Sequence, residues 1–254
     1  MKKILFILLC IIMVGCSSNK NDLFEVVEYD CEIADEDLNL QFNFDGVMEL
    51  PSKKMCDSHE LLRDSIVWAL FGSDFVDFSD KKVLKVYADS LFVEYQKVYD
   101  EIYNNEQCET NGHDQMMHNA QLCNFEINIK GSIVYYDSVI ISYQRELYTY
   151  AGGAHGMTTK TNYVFDIKTG RILTEEDIFG KGFERRVSKL LTEKANILRE
   201  EDKLPAEDEF YNNWNIVPNG NFALTDSSVI YTFNPYEIAP YCYGIIDIEL
   251  KIEN

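Results

Sequence analysis

The stretch from Tyr148 to Phe179, YTYAGGAHGMTTKTNYVFDIKTGRILTEEDIF, carries most of the signals that decide the fold. Its first residues end a β-forming segment, and the glycine-rich residues 151–156 predict a turn. Tyr163–Leu173 predicts a hairpin with Lys168-Thr169-Gly170 at its tip. The sequence TEED, which begins at Thr174, predicts the start of a helix. Strands that meet through short turns and are followed by a helix favour antiparallel pairing.

The pattern outside this stretch predicts further helices and strands on both sides. Residues 24–33, 38–44 and 122–129 alternate as strands, and 222–224, 229–233 and 245–252 predict closing strands. Asp80–Tyr103 predicts a long helix, because apolar residues recur every three or four positions, at Leu84, Tyr87, Leu91, Tyr95, Val98 and Ile102. A second amphipathic helix is predicted around Val187–Leu198. Without regular alternation of strands and helices, we predict an α+β fold of two subdomains, residues 24–150 and 151–254, each an antiparallel sheet with packed helices.

The N-terminus has the composition of an export signal. Lys2 and Lys3 precede an apolar run from Ile4 to Val14, which is too short to cross a bilayer as a helix. Gly15-Cys16 then resembles the lipobox of bacterial lipoproteins. By this resemblance, residues 1–15 are a signal peptide, Cys16 is the lipidated first residue and 16–23 is a tether. A plain secretory signal is the alternative. We expect the protein in the bacterial cell envelope, anchored to a membrane by its lipid, with its domain facing the periplasm or the exterior.

The chain is strongly acidic. Its net charge is −20, and because the predicted leader carries two lysines and no acid, the remainder carries −22. This charge argues against nucleic acid as a partner, since nucleic-acid binding needs clustered lysine and arginine. Two interpretations stay open. The charge keeps the surface soluble, or it attracts a cationic ligand by long-range steering.

Five cysteines remain outside the leader and Cys16. Export makes disulfides plausible, and we predict the pairs Cys108–Cys123 and Cys31–Cys56, with Cys242 left over. A metal site from Cys108, His113, His118 and Cys123 is the less favoured alternative, because these residues do not come as closely spaced ligand pairs. We therefore predict no metal and no cofactor.

Two segments are candidate ligand-binding sites. In the first, Gly152, Gly153, His155 and Gly156 would offer backbone N–H groups and an imidazole. A purely structural turn is the alternative. The second segment surrounds Asn234-Pro235, where exposed aromatic rings would stack on a sugar or a protein; its candidates are Asn234, Tyr236, Glu237 and Tyr241. By contrast, the alternating Tyr231 and Phe233 are expected in the core.

Two stretches together, Tyr148–Phe179 and Asn221–Ile248, resemble a known domain family. They carry GGAHG, DIKTG, EEDIF and NPYEIAPY. This is the domain of unknown function shared by the extracellular region of the anti-sigma factor RsiV and the non-catalytic region of the peptidoglycan deacetylase PdaC. The resemblance implies recognition at the envelope, and RsiV-type proteins bind lysozyme through this region. The deacetylase's catalytic motifs and the sigma-binding segment of RsiV are not found in the sequence.

The resulting hypothesis is a lipid-anchored, non-enzymatic envelope binding protein. Its ligand would be a cationic protein such as lysozyme, or a peptidoglycan glycan. A hydrolase that acts on cell-wall glycan through carboxylates and His155 is the first alternative, and a scaffold lipoprotein without a small ligand is the second.

Overall fold

The chain folds around two β-sheets and a set of helices. The computed structural model describes residues 7–9, 22–35, 40–56, 59–104, 124–152, 154–201, 203–205, 211 and 215–252. The strands of the large sheet are β1 (Ile7–Leu9), β2 (Phe24–Asp35), β3 (Leu40–Pro51), β4 (Asn124–Tyr136), β5 (Ile140–Ala151) and β6 (Met157–Asp166). The small sheet contains β7 (Phe222–Leu224), β8 (Ser228–Phe233) and β9 (Ile246–Lys251).

Five α-helices lie among the described residues. They are α1 (Lys53–Cys56), α2 (Glu60–Phe71), α3 (Asp80–Asn104), α4 (Glu175–Phe179) and α5 (Glu184–Glu200). Short 3₁₀ turns occur at Ser73–Phe75 and Tyr241–Tyr243. Within the described part of the chain, no helix combines the length and the apolar character needed to cross a membrane.

The α+β fold class with two subdomains is confirmed. In both sheets the neighbouring strands are antiparallel, with one exception: β3 and β4 run parallel. A parallel pair needs a long crossover, and the chain segment that contains α1, α2 and α3 supplies it. The predicted antiparallel arrangement therefore holds for every strand pair of the two described sheets except this one. Strand β1 lies within the predicted leader, so the large sheet of the predicted mature chain has five strands.

The helices of the first half cover one face of the large sheet. The long helix α3 matches the predicted helix, and its Val83, Leu84 and Ala88 are buried against the inward residues of β2 and β3. Helix α2 adds Leu62 and Ile66 to the same core. Burial of one such aliphatic side chain contributes roughly 1.5–3 kcal/mol, so this apolar face drives the folding of the first half.

The small sheet and α5 enclose a second core. Val187, Leu191 and Ala195 lie four residues apart on one face of α5 and are buried in this core. Tyr231 and Phe233 are buried there too, as predicted from their alternation. Val164 of β6 belongs to this second core, while its neighbour Phe165 belongs to the first. Strand β6 is thus packed on both faces and joins the two halves.

A polar network fastens the small sheet to the outer edge of β6. The Asn221 Oδ1 accepts hydrogen bonds from the backbone N–H of Asn162 (2.8 Å) and from its side-chain amide (3.1 Å). The Asn221 Nδ2 donates to the backbone carbonyl of Lys160 (2.9 Å). The backbone N–H of Lys160 in turn donates to the Asn234 Oδ1 (2.7 Å). The Asn162 amide also donates to the Thr232 Oγ1 (2.8 Å). Side-chain amides therefore stand where a further strand would pair.

Two sequence-based boundaries need comment. The predicted division after residue 150 falls at the last residue of β5, next to the turn that leads to β6, and these two strands are paired over ten positions of the same sheet. Those strands form the extended hairpin of this region. At the predicted hairpin Tyr163–Leu173, β6 ends at Asp166, and the return segment pairs only through an isolated bridge between Phe165 and Ile172.

The predicted Cys31–Cys56 disulfide was wrong. The β2–β3 register places Cys31 opposite Phe44 and Phe24 opposite Pro51, while the Cys56 thiol donates to the Pro51 carbonyl at 3.5 Å. Cys31 is therefore seven strand residues away from the end of the hairpin at which Cys56 lies, a distance of about 23 Å. A disulfide requires the two Cα atoms to lie within about 7 Å of each other. Cys242 is a free, exposed thiol, as predicted. Cys16, Cys108, His113, His118 and Cys123 lie outside the described residues.

We expect Asn162→Ala to destabilise the protein by about 2–3 kcal/mol, because the Thr232 Oγ1 and the Asn221 Oδ1 each lose the donor that the Asn162 side-chain amide supplies. Urea denaturation followed by circular dichroism measures this change. Asn128→Ala is the matched control, since Asn128 is exposed on the same sheet and its amide donates to Glu126. Equal losses in the two variants would contradict the role of the network.

A second stability prediction concerns Gly131 in β4. An ideal Cβ at this position would lie 2.2 Å from the Tyr143 Oη, which donates to the Glu49 carbonyl at 2.8 Å. We expect Gly131→Ala to cost about 2–3 kcal/mol by overpacking. Tyr143→Phe alone should cost about 1 kcal/mol. Because the phenylalanine removes the colliding atom, the double variant should lose less stability than the sum of the single losses; simple additivity would refute this account.

Candidate functional site

The two predicted ligand-binding segments meet at one end of the large sheet. The rings of His155 and Tyr241 stack with centroids 4.1 Å apart and an interplanar angle of 21°. The Tyr241 hydroxyl donates to the Gly156 carbonyl at 2.7 Å. This bond joins the loop after β8 to the turn between β5 and β6, and its two residues are 85 positions apart in sequence. The site therefore exists only in the folded chain.

The β5–β6 turn is shaped by its glycines. Gly152 has a φ of +81°, which a residue with a Cβ rarely adopts. At Gly156, an ideal Cβ would lie 2.4 Å from the Tyr148 ring, so this ring rests directly on the glycine. Gly153 lies outside the described residues. The turn thus leaves His155 exposed at the surface, while the half-buried Tyr148 packs against Gly156.

The loop after β8 adds a third stacked ring. Tyr236 lies 5.7 Å from Tyr241 between ring centroids, at 29°, and is 51% exposed. Its φ of +70° is unique among the described residues other than glycine. The N–H of Tyr236 donates to the carbonyl of Ala239 at 3.1 Å, which closes the turn. We call the four rings the aromatic row: Tyr148, His155, Tyr241 and Tyr236.

A carboxylate is held beside this row. The Glu237 Oε2 accepts a hydrogen bond from the Asn219 amide at 2.9 Å, and its Oε1 accepts one from the Asn234 amide at 3.3 Å. Asn234 also donates to the carbonyl of Lys160 in β6, at 3.0 Å. Glu237 is exposed, and each oxygen keeps a lone pair for a further donor. The site therefore offers an oriented, negatively charged acceptor.

The face of the large sheet opposite α2 and α3 is lined with acids. Alternation turns the odd-numbered core residues of β2 inward and Glu28, Asp30 and Glu32 outward. We call this surface the acidic face and define it by six of the carboxylates that the strand registers place on that side: Glu28, Asp30, Glu32, Asp45, Glu126 and Glu146. The lysines on the same side are Lys130 and Lys160.

The acidic face leads directly to the aromatic row. The registers place Asp30 opposite Asp45, Asp45 opposite Asn128, and Asn128 opposite Tyr148. Partial burial raises the pKa of Tyr148, and the nearby carboxylate of Glu126 raises it further. The two surfaces are therefore continuous across four strands.

Sequence reasoning found the two loops and missed the surface between them. It missed Tyr148, Asn219 and the acidic face. The acids at every second residue of β2 were a usable signal, since such alternation predicts an exposed strand face. Tyr148 gave no such signal, because its role depends on a glycine eight residues later.

Among the described residues, the imidazole of His155 is partnered by a backbone carbonyl and by no carboxylate. The His155 Nδ1 lies 3.0 Å from the Gly156 carbonyl oxygen. Across the described ranges, no three His, Cys, Asp or Glu side chains are grouped as a metal site would require. The predicted hydrolase activity stays a prediction.

One solved structure is similar in fold over most of the chain. A crystal structure of a DUF3298 family member from Bacteroides fragilis NCTC 9343 is similar, with a TM-score of 0.73 and 21% identity over 90% of this chain and 89% of that chain. A DUF3298 family protein from Pseudomonas aeruginosa PAO1 has a TM-score of 0.47 and 13% identity, over 97% of this chain and 88% of that one. No curated protein matches the sequence.

Two family models match separate parts of the chain. Residues 73–158 match the model described as deacetylase PdaC, and residues 176–253 match the protein of unknown function DUF3298. Both belong to a cell-wall-related family of unknown function. These matches support the domain family predicted from the sequence: a segment similar to PdaC is followed by one similar to DUF3298.

Proposed function

We propose that this protein is a lipid-anchored, non-enzymatic binding protein of the bacterial cell envelope whose acidic face receives a cationic protein such as a lysozyme. The observation that carries this proposal is the acidic face itself. The six carboxylates of this face share one side of the large sheet with only two lysines, Lys130 and Lys160, in a chain of net charge −20. Such a one-signed field raises the rate at which an oppositely charged partner arrives.

The charges of this face are largely available to a partner. In the described part of the chain, Glu28, Asp30 and Asp45 form no ion pair, and all three are exposed. Lys160 is engaged elsewhere, with its ammonium 3.7 Å from an Asp247 oxygen. An incoming cation therefore competes with water alone at these three carboxylates.

The expected anchoring suits this role. Lipidation at Cys16 would leave residues 16–23 as a tether before β2, so the large sheet would stand close to the membrane surface. An approaching cationic protein would meet an extended negative surface there. The binding role requires no catalytic group.

The proposal predicts binding that weakens with salt. We expect calorimetric titration of the full-length chain with a basic lysozyme to give saturable binding at low ionic strength and clearly weaker binding at high ionic strength. Neutralising three carboxylates, in Glu28→Gln/Asp30→Asn/Asp45→Asn, should weaken binding at low salt about tenfold, since an exposed ion pair contributes about 0.5 kcal/mol.

The control is a triple variant with the same change in charge outside the acidic face. Asp77→Asn/Glu94→Gln/Glu200→Gln neutralises three exposed carboxylates, two on helices and one in the loop before α3. Its affinity should stay within about twofold of the parent, because distant surface charges are screened. Binding that ignores salt, or equal losses in both triple variants, would refute the electrostatic proposal.

A further inference from the structure

We infer that the aromatic row and Glu237 form a saccharide subsite that takes a pyranose ring of a glycan. This inference stands on a different surface and different contacts from the acidic face. The first support is the stack itself. Tyr241 lies against both His155 and Tyr236, at 4.1 and 5.7 Å, in near-parallel planes. Rings ordered in this way lose little freedom when a ligand covers them.

The exposed ring matches the shape of a sugar. A pyranose has a face of C–H bonds, and such bonds are attracted to the negative face of an aromatic ring. Tyr236 is 51% exposed, and His155, which is stacked on the same Tyr241 ring, is also exposed. These side chains sit on a turn and a loop that are both tied to β6, so the platform is held in place before a ligand arrives.

Hydrogen-bonding groups of both kinds surround this platform. Glu237 offers two oxygens oriented by Asn219 and Asn234. The hydroxyl of Tyr236 and the second ring nitrogen of His155 can donate or accept. Sugar hydroxyls also donate and accept, whereas an ammonium or guanidinium group only donates. The mixture therefore favours a saccharide over a lysine or arginine side chain.

The backbone of Tyr236 points to the same conclusion. A tyrosine in the left-handed region at φ +70° is strained, and a glycine would adopt this conformation freely. Residues with strained backbone conformations cluster at ligand-binding positions, where the function of the side chain offsets the free-energy cost of the strain. Here the strained residue carries an exposed ring of the row, whereas Tyr148 is packed on Gly156 and Tyr241 is stacked on both His155 and Tyr236.

The test is calorimetric titration of the full-length chain with a β-1,4-linked N-acetylglucosamine tetrasaccharide, up to millimolar concentrations. We expect saturable binding that is insensitive to salt. Tyr236→Gly should weaken it about tenfold or more, with a thermal midpoint equal to or above that of the parent, because the substitution removes the ring and the strain together. Glu237→Gln should weaken binding by a similar factor, since a charged acceptor becomes neutral.

Trp68→Ala is the matched control, because Trp68 is an aromatic residue of similar exposure (53%) on α2. Its affinity should stay within about twofold of the parent. No saccharide binding by the parent, or unchanged binding in Tyr236→Gly, would overturn the inference.

A parallel titration with hexalysine tests the alternative that the site binds cations. If the Tyr236 and Glu237 variants lose hexalysine binding and keep saccharide binding, the site recognises cations and the inference is wrong. Lysozyme titration of the same variants reports separately on the acidic face.

Discussion

The outer edge of β6 is the constraint on which the second half of the molecule depends. A last strand exposes backbone N–H and C=O groups that must find partners when other elements cover them. Here two asparagine side chains supply the donor and acceptor that a neighbouring strand would have offered. Asn221 directly precedes β7 and Asn234 directly follows β8, so this edge fixes the small sheet at both ends. The site loop begins at Asn234, and its position therefore follows from the same bonds.

The two faces of the large sheet differ in chemistry, since one is apolar and packed against helices and the other carries acids. The inward face of the sheet buries Phe42, Phe44 and Met48 against the helices, at roughly 1.5–3 kcal/mol for each side chain. Its outward face places Asp30 opposite Asp45, a like-charge pair that destabilises a sheet by up to about 1 kcal/mol. The apolar face exceeds this cost several times over. A strand pair with one strongly buried face can therefore carry a repulsive charge pattern on the other.

How far the sequence predicts this structure depends on the range of the interactions. The helix α3 and the alternation of β2 and β8 are local patterns, and the prediction located them to within a few residues. The parallel pairing of β3 with β4 was missed, because the three helices between them were not interpreted as one crossover. The disulfide between Cys31 and Cys56 was wrong for the same reason, since only the strand register reveals their separation.

The candidate site shows this limit at the level of single residues. Glycines and aromatic residues identified the β5–β6 turn and the loop after β8 as separate candidates. The stack of His155 on Tyr241 joins positions 86 residues apart, and nothing in local composition encodes such a contact. The contact of Tyr148 with Gly156 was missed for a different reason. The sequence analysis attributed to Gly156 only the backbone freedom of a glycine, whereas in the structure the missing Cβ leaves space for the Tyr148 ring.

The continuity of the two surfaces has a physical consequence for any ligand large enough to reach both. The cross-strand series from Asp30 through Asp45 and Asn128 ends at Tyr148, so charge gives way to aromatic surface within one side of the sheet. Attraction to exposed carboxylates falls as salt shortens the Debye length, while ring stacking is nearly independent of ionic strength. A ligand held by carboxylates alone loses most of its affinity in salt, and one held by rings alone loses none. Partial loss is therefore the signature of a single ligand that spans both surfaces.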